Sequence, residues 1–214
     1  MTDRDATFFD VTLNPADDEA TAKLKRDAIA SATDGNQRFD RLTTFAAGNP
    51  FVEVFFAPHT FEVDFVAAGN GPAVVKVLPE IYQQPAAITR WTKFLEDPLL
   101  STSGWAVLDL AKKSGKGWFA ILLGKFIKPD VIIPEYIVNA ILFAHGKPTR
   151  NVLVKILRYR TECALDPDLQ AVEFAAIHGG ISKFERGEID LAALRAEVLA
   201  RLPGDAILPI LAKV

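Results

Sequence analysis

The chain has 214 residues and a mass of 23.4 kDa, with 50% hydrophobic residues, 24% charged residues and a formal net charge of −3. That length buries a core without disulfide or metal staples, and 15 Phe with 3 Trp exclude wholesale disorder. A single cysteine, Cys163, excludes a disulfide framework and a cysteine-based zinc site, and the slightly acidic balance excludes a global field drawing the chain onto nucleic acid.

In chain order, the first feature is Asp3 and Asp5, two aspartates separated by one residue. In extended chain both side chains leave the same face. A charged helix is expected near 16–32, then an exposed loop at Asp34-Gly35-Asn36. Phe-Val-Glu-Val-Phe-Phe-Ala at 51–57 is β-branched and aromatic, and reads as a strand ended by Pro58. His59 to Asp64 then lead into a short helix stopping near Gly69.

The rest reads mostly as helix. Pro72 suits a first helical position, with Val74, Val75, Leu78, Ile81 and Tyr82 following at helical spacing. Further helices are expected over 86–96, 104–113 and 116–127, the last apolar on nearly every side and so expected to be buried. Pro134 opens another and Gly146 closes it. Residues 152–159 admit both strand and helix, while 168–177 and 190–202 are amphipathic helices. A soft domain boundary falls at 147–150, giving domains 1–147 and 148–214.

The most apolar stretch, Val131 to Ala144, carries Glu135 and is too short to cross a bilayer. The first residues have no apolar run of the secretory type. A cytoplasmic protein without a membrane partner is expected.

Four groups of side chains are candidates for chemistry. Asp3 and Asp5 repel one another unless a cation joins them, which suits Mg²⁺ or Mn²⁺; a solvated chain end is the plainer alternative. Glu62 and Asp64 form a second acidic pair, facing one way on a strand but about 200° apart on a helix. The alternative there is an ordinary helix start capped by Thr60, with acids favoured by the dipole. Lys112, Lys113, Lys116 and Lys125 make a local basic patch able to hold phosphate, or simply a solvated loop. Arg150, Lys155, Arg158 and Arg160, with Tyr159 among them, form a second basic cluster. His59, His145 and His178 have no obvious partners, and no phosphate-loop, dinucleotide, zinc or nucleophile-elbow pattern is present.

The order of these pieces is more specific than any one of them. Thr2-Asp3-Arg4-Asp5, Thr60-Phe61-Glu62-Val63-Asp64-Phe65, Lys116-Gly117-Trp118-Phe119-Ala120 and Ile133-Pro134-Glu135-Tyr136-Ile137 follow one another. Over residues 1–146 this resembles the Toprim domain of the overcoming-lysogenization-defect (OLD) nucleases. The resemblance implies an α/β, helix-weighted fold: an incomplete Toprim-like sheet, with strands near 1–4 and 51–57, flanked by helices and followed by a helical C-terminal extension. It implies metal-dependent DNA hydrolysis with Mg²⁺ or Mn²⁺, in which Asp3, Asp5 and Glu62, with Asp64 as a companion, hold metal. Glu62 and Lys116 would be catalytic, Lys116 by stabilising the transition state.

The chain also departs from the family. Arg4 stands where the family has Gly, and is expected to pair with a carboxylate and compete with metal. Phe61 and Val63 replace Leu and Tyr. The family's upstream glutamate and ATPase half have no counterpart, so an N-terminally truncated domain is expected, pairing as a homodimer or with an ATPase chain through an exposed sheet edge. Residues 151–214 match nothing in the family. The competing readings are a non-catalytic interaction module and an unrelated helical partner-binding protein.

Overall fold

A computed structural model describes residues 2–146 and 148–214. Met1 and Lys147, which bound the first expected domain, lie outside the described residues. Helix covers 66% of the chain, and the expected α/β architecture is overturned. Among the described residues, strand is confined to β1 (Thr2–Asp3) and β2 (Phe56–Ala57), paired in parallel with Thr2 opposite Phe56 and Asp3 opposite Ala57. Two residues per strand make no sheet face for helices to cover. The residues before Phe56 find no neighbouring strand, and β-propensity without a pleated surface to fit does not hold a strand. Phe51 is 88% exposed. The expectation of pairing through an exposed sheet edge loses its basis with the sheet.

The chain divides into two compact units, one running to Ile127 and including Ile132–Ala140, the other comprising Lys128–Val131 and Ile141–Val214. In the first, α1 (Glu19–Ala46) is capped by Asp18, whose carboxylate accepts from the Thr21 N–H at 2.7 Å. It runs straight through the expected loop at 34–36. Gly35 is buried there because β1 crosses it: a Cβ at Gly35 would lie 1.8 Å from the Arg4 carbonyl oxygen. The turn-forming look of Asp-Gly-Asn reflects this close approach, not a chain reversal.

After β2 come α2 (Phe61–Phe65), a π-helical turn (Val66–Asn70), α3 (Gly71–Val75), α4 (Leu78–Ile81), α5 (Pro85–Leu95), α6 (Leu100–Ser114) and α7 (Lys116–Gly124). Val63, Val74, Val77, Leu78, Leu110 and Phe119 are buried in this unit. α6 presents small residues to α2, and a Cβ at Gly104 would press on the Phe8 ring at 2.9 Å and Val63 at 3.3 Å. α7 is not buried all round as expected. Phe119 and Leu122 face inward on α6, but Trp118 and Ile121 are 58% and 60% exposed, since a nine-residue helix packing on one neighbour covers only one side.

The helix α8 (Glu135–His145) follows. In the second unit are α9 (Arg150–Ala164), α10 (Ala171–Glu185), α11 (Leu191–Arg201) and α12 (Ile207–Leu211). The ambiguous stretch at 152–159 is therefore helix. Leu153, Leu157, Ile177, Ile181, Leu194 and Val198 form its core. No described helix is long and apolar enough to cross a membrane.

A candidate acidic site at the end of the first strand

Asp3 ends β1, and the chain beyond it stays pinned to the segment after β2. The Arg4 N–H donates to the Ala57 carbonyl and the Ala6 N–H to the Pro58 carbonyl, both at 2.9 Å. Asp5, between them, adopts a left-handed backbone with φ of 52°, a conformation that Asp tolerates better than most residues. The extended chain expected to put Asp3 and Asp5 on one face therefore ends before Asp5, and Arg4 is directed to α1. Its guanidinium donates to Asn36 Oδ1 at 2.8 Å and sits 4.3 Å from the Phe39 ring centroid. The expected competition of Arg4 for a carboxylate does not arise; it clamps β1 to α1.

Arg38, two residues further along α1 than Asn36, takes the acidic side instead. It donates to the Asp3 carbonyl at 3.3 Å and contacts the Asp5 carboxylate at 3.4 Å. Glu62 comes from the first turn of α2 and meets Lys116 Nζ at 3.5 Å, the glutamate side chain 13% and the lysine 57% exposed. Lys116 owes its place to Gly115, whose φ of 80° turns the chain sharply between α6 and α7.

Because α2 begins at Phe61, the two acids of the second pair part company. Asp64 turns inward, 7% exposed. It accepts from the His59 N–H at 3.2 Å and lies 2.7 Å from His59 Nδ1. His59, which looked partnerless in sequence, is thus the partner of a buried carboxylate. Thr60 has the extended backbone of a cap residue, but its hydroxyl makes no capping bond.

The electrostatics show which groups share a neighbourhood. Burial pushes the Asp3 carboxyl above its ordinary value, Asp5 adds to the rise, Arg38 and Lys116 oppose it, and Glu62 raises it slightly. Tyr136 feels the same cluster. Burial first, then the charges of Asp64, Asp3 and Glu62, push its phenol up to about 12, so it keeps its proton at neutral pH. Ile132, four residues before Tyr136, is held by Asn70, a buried side chain that donates to the Phe65 and Ile132 carbonyls at 3.0 and 2.7 Å and accepts from the Ile132 N–H at 2.8 Å. That clamp anchors the segment entering α8.

Asp3, Asp5, Glu62 and Lys116 thus share one electrostatic neighbourhood, while Asp64 is committed to His59. Arg38 and Tyr136 were not assigned roles from sequence. Tyr136 lay inside a quoted motif, whereas Arg38 carried no local signal, since only the crossing of β1 over α1 gives it meaning.

The donor set fits a hard divalent cation in kind. Carboxylates that raise one another's proton affinity are relieved by a cation with oxygen preference. They do not close into a ready cage, as no group of three His, Cys, Asp or Glu among the described residues is arranged to hold a metal; Lys116 and Arg38 stand against Glu62 and Asp5.

The remaining basic residues are largely committed. Lys113 pairs with Asp109 at 2.6 Å and Lys125 with Glu80 at 3.4 Å. In the second unit Arg158 pairs with Glu185, and Arg160 makes a two-pronged contact with Asp205 at 2.9 and 2.8 Å. Arg150 lies over the Phe184 ring at 5.1 Å. Arg150, Arg158 and Arg160 are thus engaged within the unit, while Lys155 is exposed. Compared with protein-family models, curated proteins and solved structures, the chain matches none of them.

Proposed function

We propose that the acidic cluster is a divalent-metal centre for DNA phosphodiester hydrolysis, of the kind the OLD-type resemblance implies, working in the cytoplasm. The observation that carries this reading is that Asp5, just past β1, and Arg38, Glu62 and Lys116, from α1, α2 and α7, all act on the charge of the Asp3 carboxyl. Asp3, Asp5 and Glu62 would hold Mg²⁺ or Mn²⁺. Such a cation, when bound, supplies an acidified water and neutralises charge at phosphorus.

The chain's own groups do the rest. Lys116, mostly exposed, swings from Glu62 towards the non-bridging phosphate oxygens and stabilises charge developing there. Tyr136, protonated at neutral pH, donates its hydroxyl hydrogen to the same oxygens or to a carboxylate. Asp64 and His59 fix the start of α2 and with it Glu62. A supercoiled plasmid incubated with Mn²⁺ tests the reading. Nicking or linearisation is expected, falling about 10²- to 10³-fold in Lys116→Ala, the loss typical of one stabilising donor. Cleavage that persists in the Glu62→Ala, Lys116→Ala double variant overturns it.

A second reading, a non-catalytic interaction module, draws on the ion pairs at Glu62 and Asp5, which already neutralise part of the acidic cluster. It predicts no cleavage with any divalent cation and no stabilisation by Mg²⁺.

A further inference from the structure

The turn at Asp5 leads directly into a cavity of about 260 Å³. Its walls are Phe9, His59 and Trp105, and Thr60, Asp27 and Lys112 supply polar groups. Asp5 itself lies on its rim, so the cavity opens beside the acidic cluster. We propose that it receives an unpaired base of a DNA single strand whose backbone crosses that cluster, which rests on the nuclease reading above.

The chemistry of the walls points to a base. The Phe9 and Trp105 rings stand 5.0 Å apart at 48° to one another, and Phe8 supports both from 5.4 and 6.0 Å. Together they give the cavity an aromatic wall against which a planar guest can lie. The Thr60 hydroxyl is buried without a hydrogen-bond partner among the described residues, and an orphaned buried polar group calls for one. Rotation of the Thr60 side chain to the cavity wall would let a base edge, rich in donors and acceptors, satisfy it, and Asp27 accepts from an exocyclic amine. Lys112 brings a positive charge for the adjoining phosphate.

Trp105 also borders a second hollow of about 300 Å³ with Trp91 and Phe94. Lys113 Nζ lies 5.4 Å from the Trp91 ring centroid, and the Arg90 guanidinium 5.6 Å from that of Phe94. Lys113 is shared there with Asp109, and Arg90 supplies the second cation; aromatic faces with cations beside them are how proteins follow single strands. A base stacked inside a duplex cannot enter either hollow. The substrate class is therefore single-stranded or frayed DNA.

The test reads binding without metal. A fluorescein-labelled deoxycytidylate 12-mer, whose bases carry an exocyclic amine, is titrated in EDTA by anisotropy, beside the matching duplex. The single strand is expected to bind more tightly. Trp105→Ala should weaken it about tenfold, with Trp105→Phe recovering most of the loss. Lys112→Gln should weaken it and flatten the salt dependence, while Phe51→Ala leaves it unchanged. Lys112 is exposed, so its replacement reads binding even where Trp105→Ala disturbs folding. A duplex bound as tightly as the strand, or unchanged affinity in both the Trp105→Ala and Lys112→Gln variants, overturns the proposal. Strand binding that depends on Trp105 without any cleavage sinks only the nuclease reading. Cleavage of duplex with no dependence on Trp105 sinks only the base cavity.

Discussion

The two units are built by different rules. In the second, α9 packs on α10, α10 on α11 and α11 on α12, so each helix meets its neighbour in sequence. Its core is aliphatic but for Phe184, and its buried ion pair, Arg160 with Asp205, joins two of its own segments. In the first unit the decisive contacts join distant stretches: β1 to β2, Arg4 to the middle of α1, Lys116 to Glu62, Asn70 to Ile132 across 62 residues. Local contacts give a stable body cheaply in loop entropy. Setting the acids of β1's end and α2 beside cations from α1 and α7 needs long-range closure, and that is where the polar clamps, the left-handed Asp5 and the close-packed Gly35 are found.

The comparison breaks first at Gly35. Alanine there would place a carbon inside the Arg4 backbone, and neither backbone can yield like a side chain. Loss of more than about 3 kcal/mol is expected, beyond ordinary overpacking, together with loss of cleavage. A chemical denaturation curve matching the parent would show that β1 does not rest on α1.

Leu157→Ala tests the other side. This fully buried side chain sits in the aliphatic core of the second unit, so truncation should cost about 3 kcal/mol. Mn²⁺-dependent nicking at a temperature below the new transition should be unaltered. A parallel loss of cleavage would mean the two cores do not melt separately.

The smallest effects, and the most diagnostic, belong to Asp3. Its folded-state pKa is raised, so the folded chain binds that proton more tightly than the unfolded one. The stability it contributes is complete below the unfolded value, near 4, and is lost as pH climbs through the raised folded value. At neutral pH the ionised group is a liability unless a cation joins it. Saturating Mg²⁺, at about 100 times its Kd, should therefore stabilise the parent by about 2.7 kcal/mol, measured as a rise in Tm. Asp3→Asn should gain a degree or so without metal at pH 7, gain nothing at pH 3, and respond weakly to Mg²⁺. An equal Mg²⁺ response in parent and variant would remove Asp3 from the cation site.

The same contrast explains what could be read from the residues alone. Most helices were legible, because spacing of apolar positions and Pro or Gly at the ends are local signals. The order of short motifs led to strands near 1–4 and 51–57, of which only Thr2–Asp3 and Phe56–Ala57 pair. The sheet did not form because an aromatic run reports only fitness for a pleated surface, and nothing supplied one before Phe56. The helix through Gly35 was missed since its reason, the Arg4 backbone, lies far away in sequence. Arg38 and the His59–Asp64 pair were hidden likewise.

The two-residue ladder has a dynamic consequence. The amides of Arg4 and Ala6, bonded to Ala57 and Pro58, have few neighbours to hold them should the strands part. Local opening draws on the least cooperative parts of a protein. Hydrogen exchange at those two amides should be far faster than at the buried turns of α10, and slowed once a cation ties Asp3 to Glu62. The acidic site would then be a place that assembles on loading, its ligands gathered by the ion they hold.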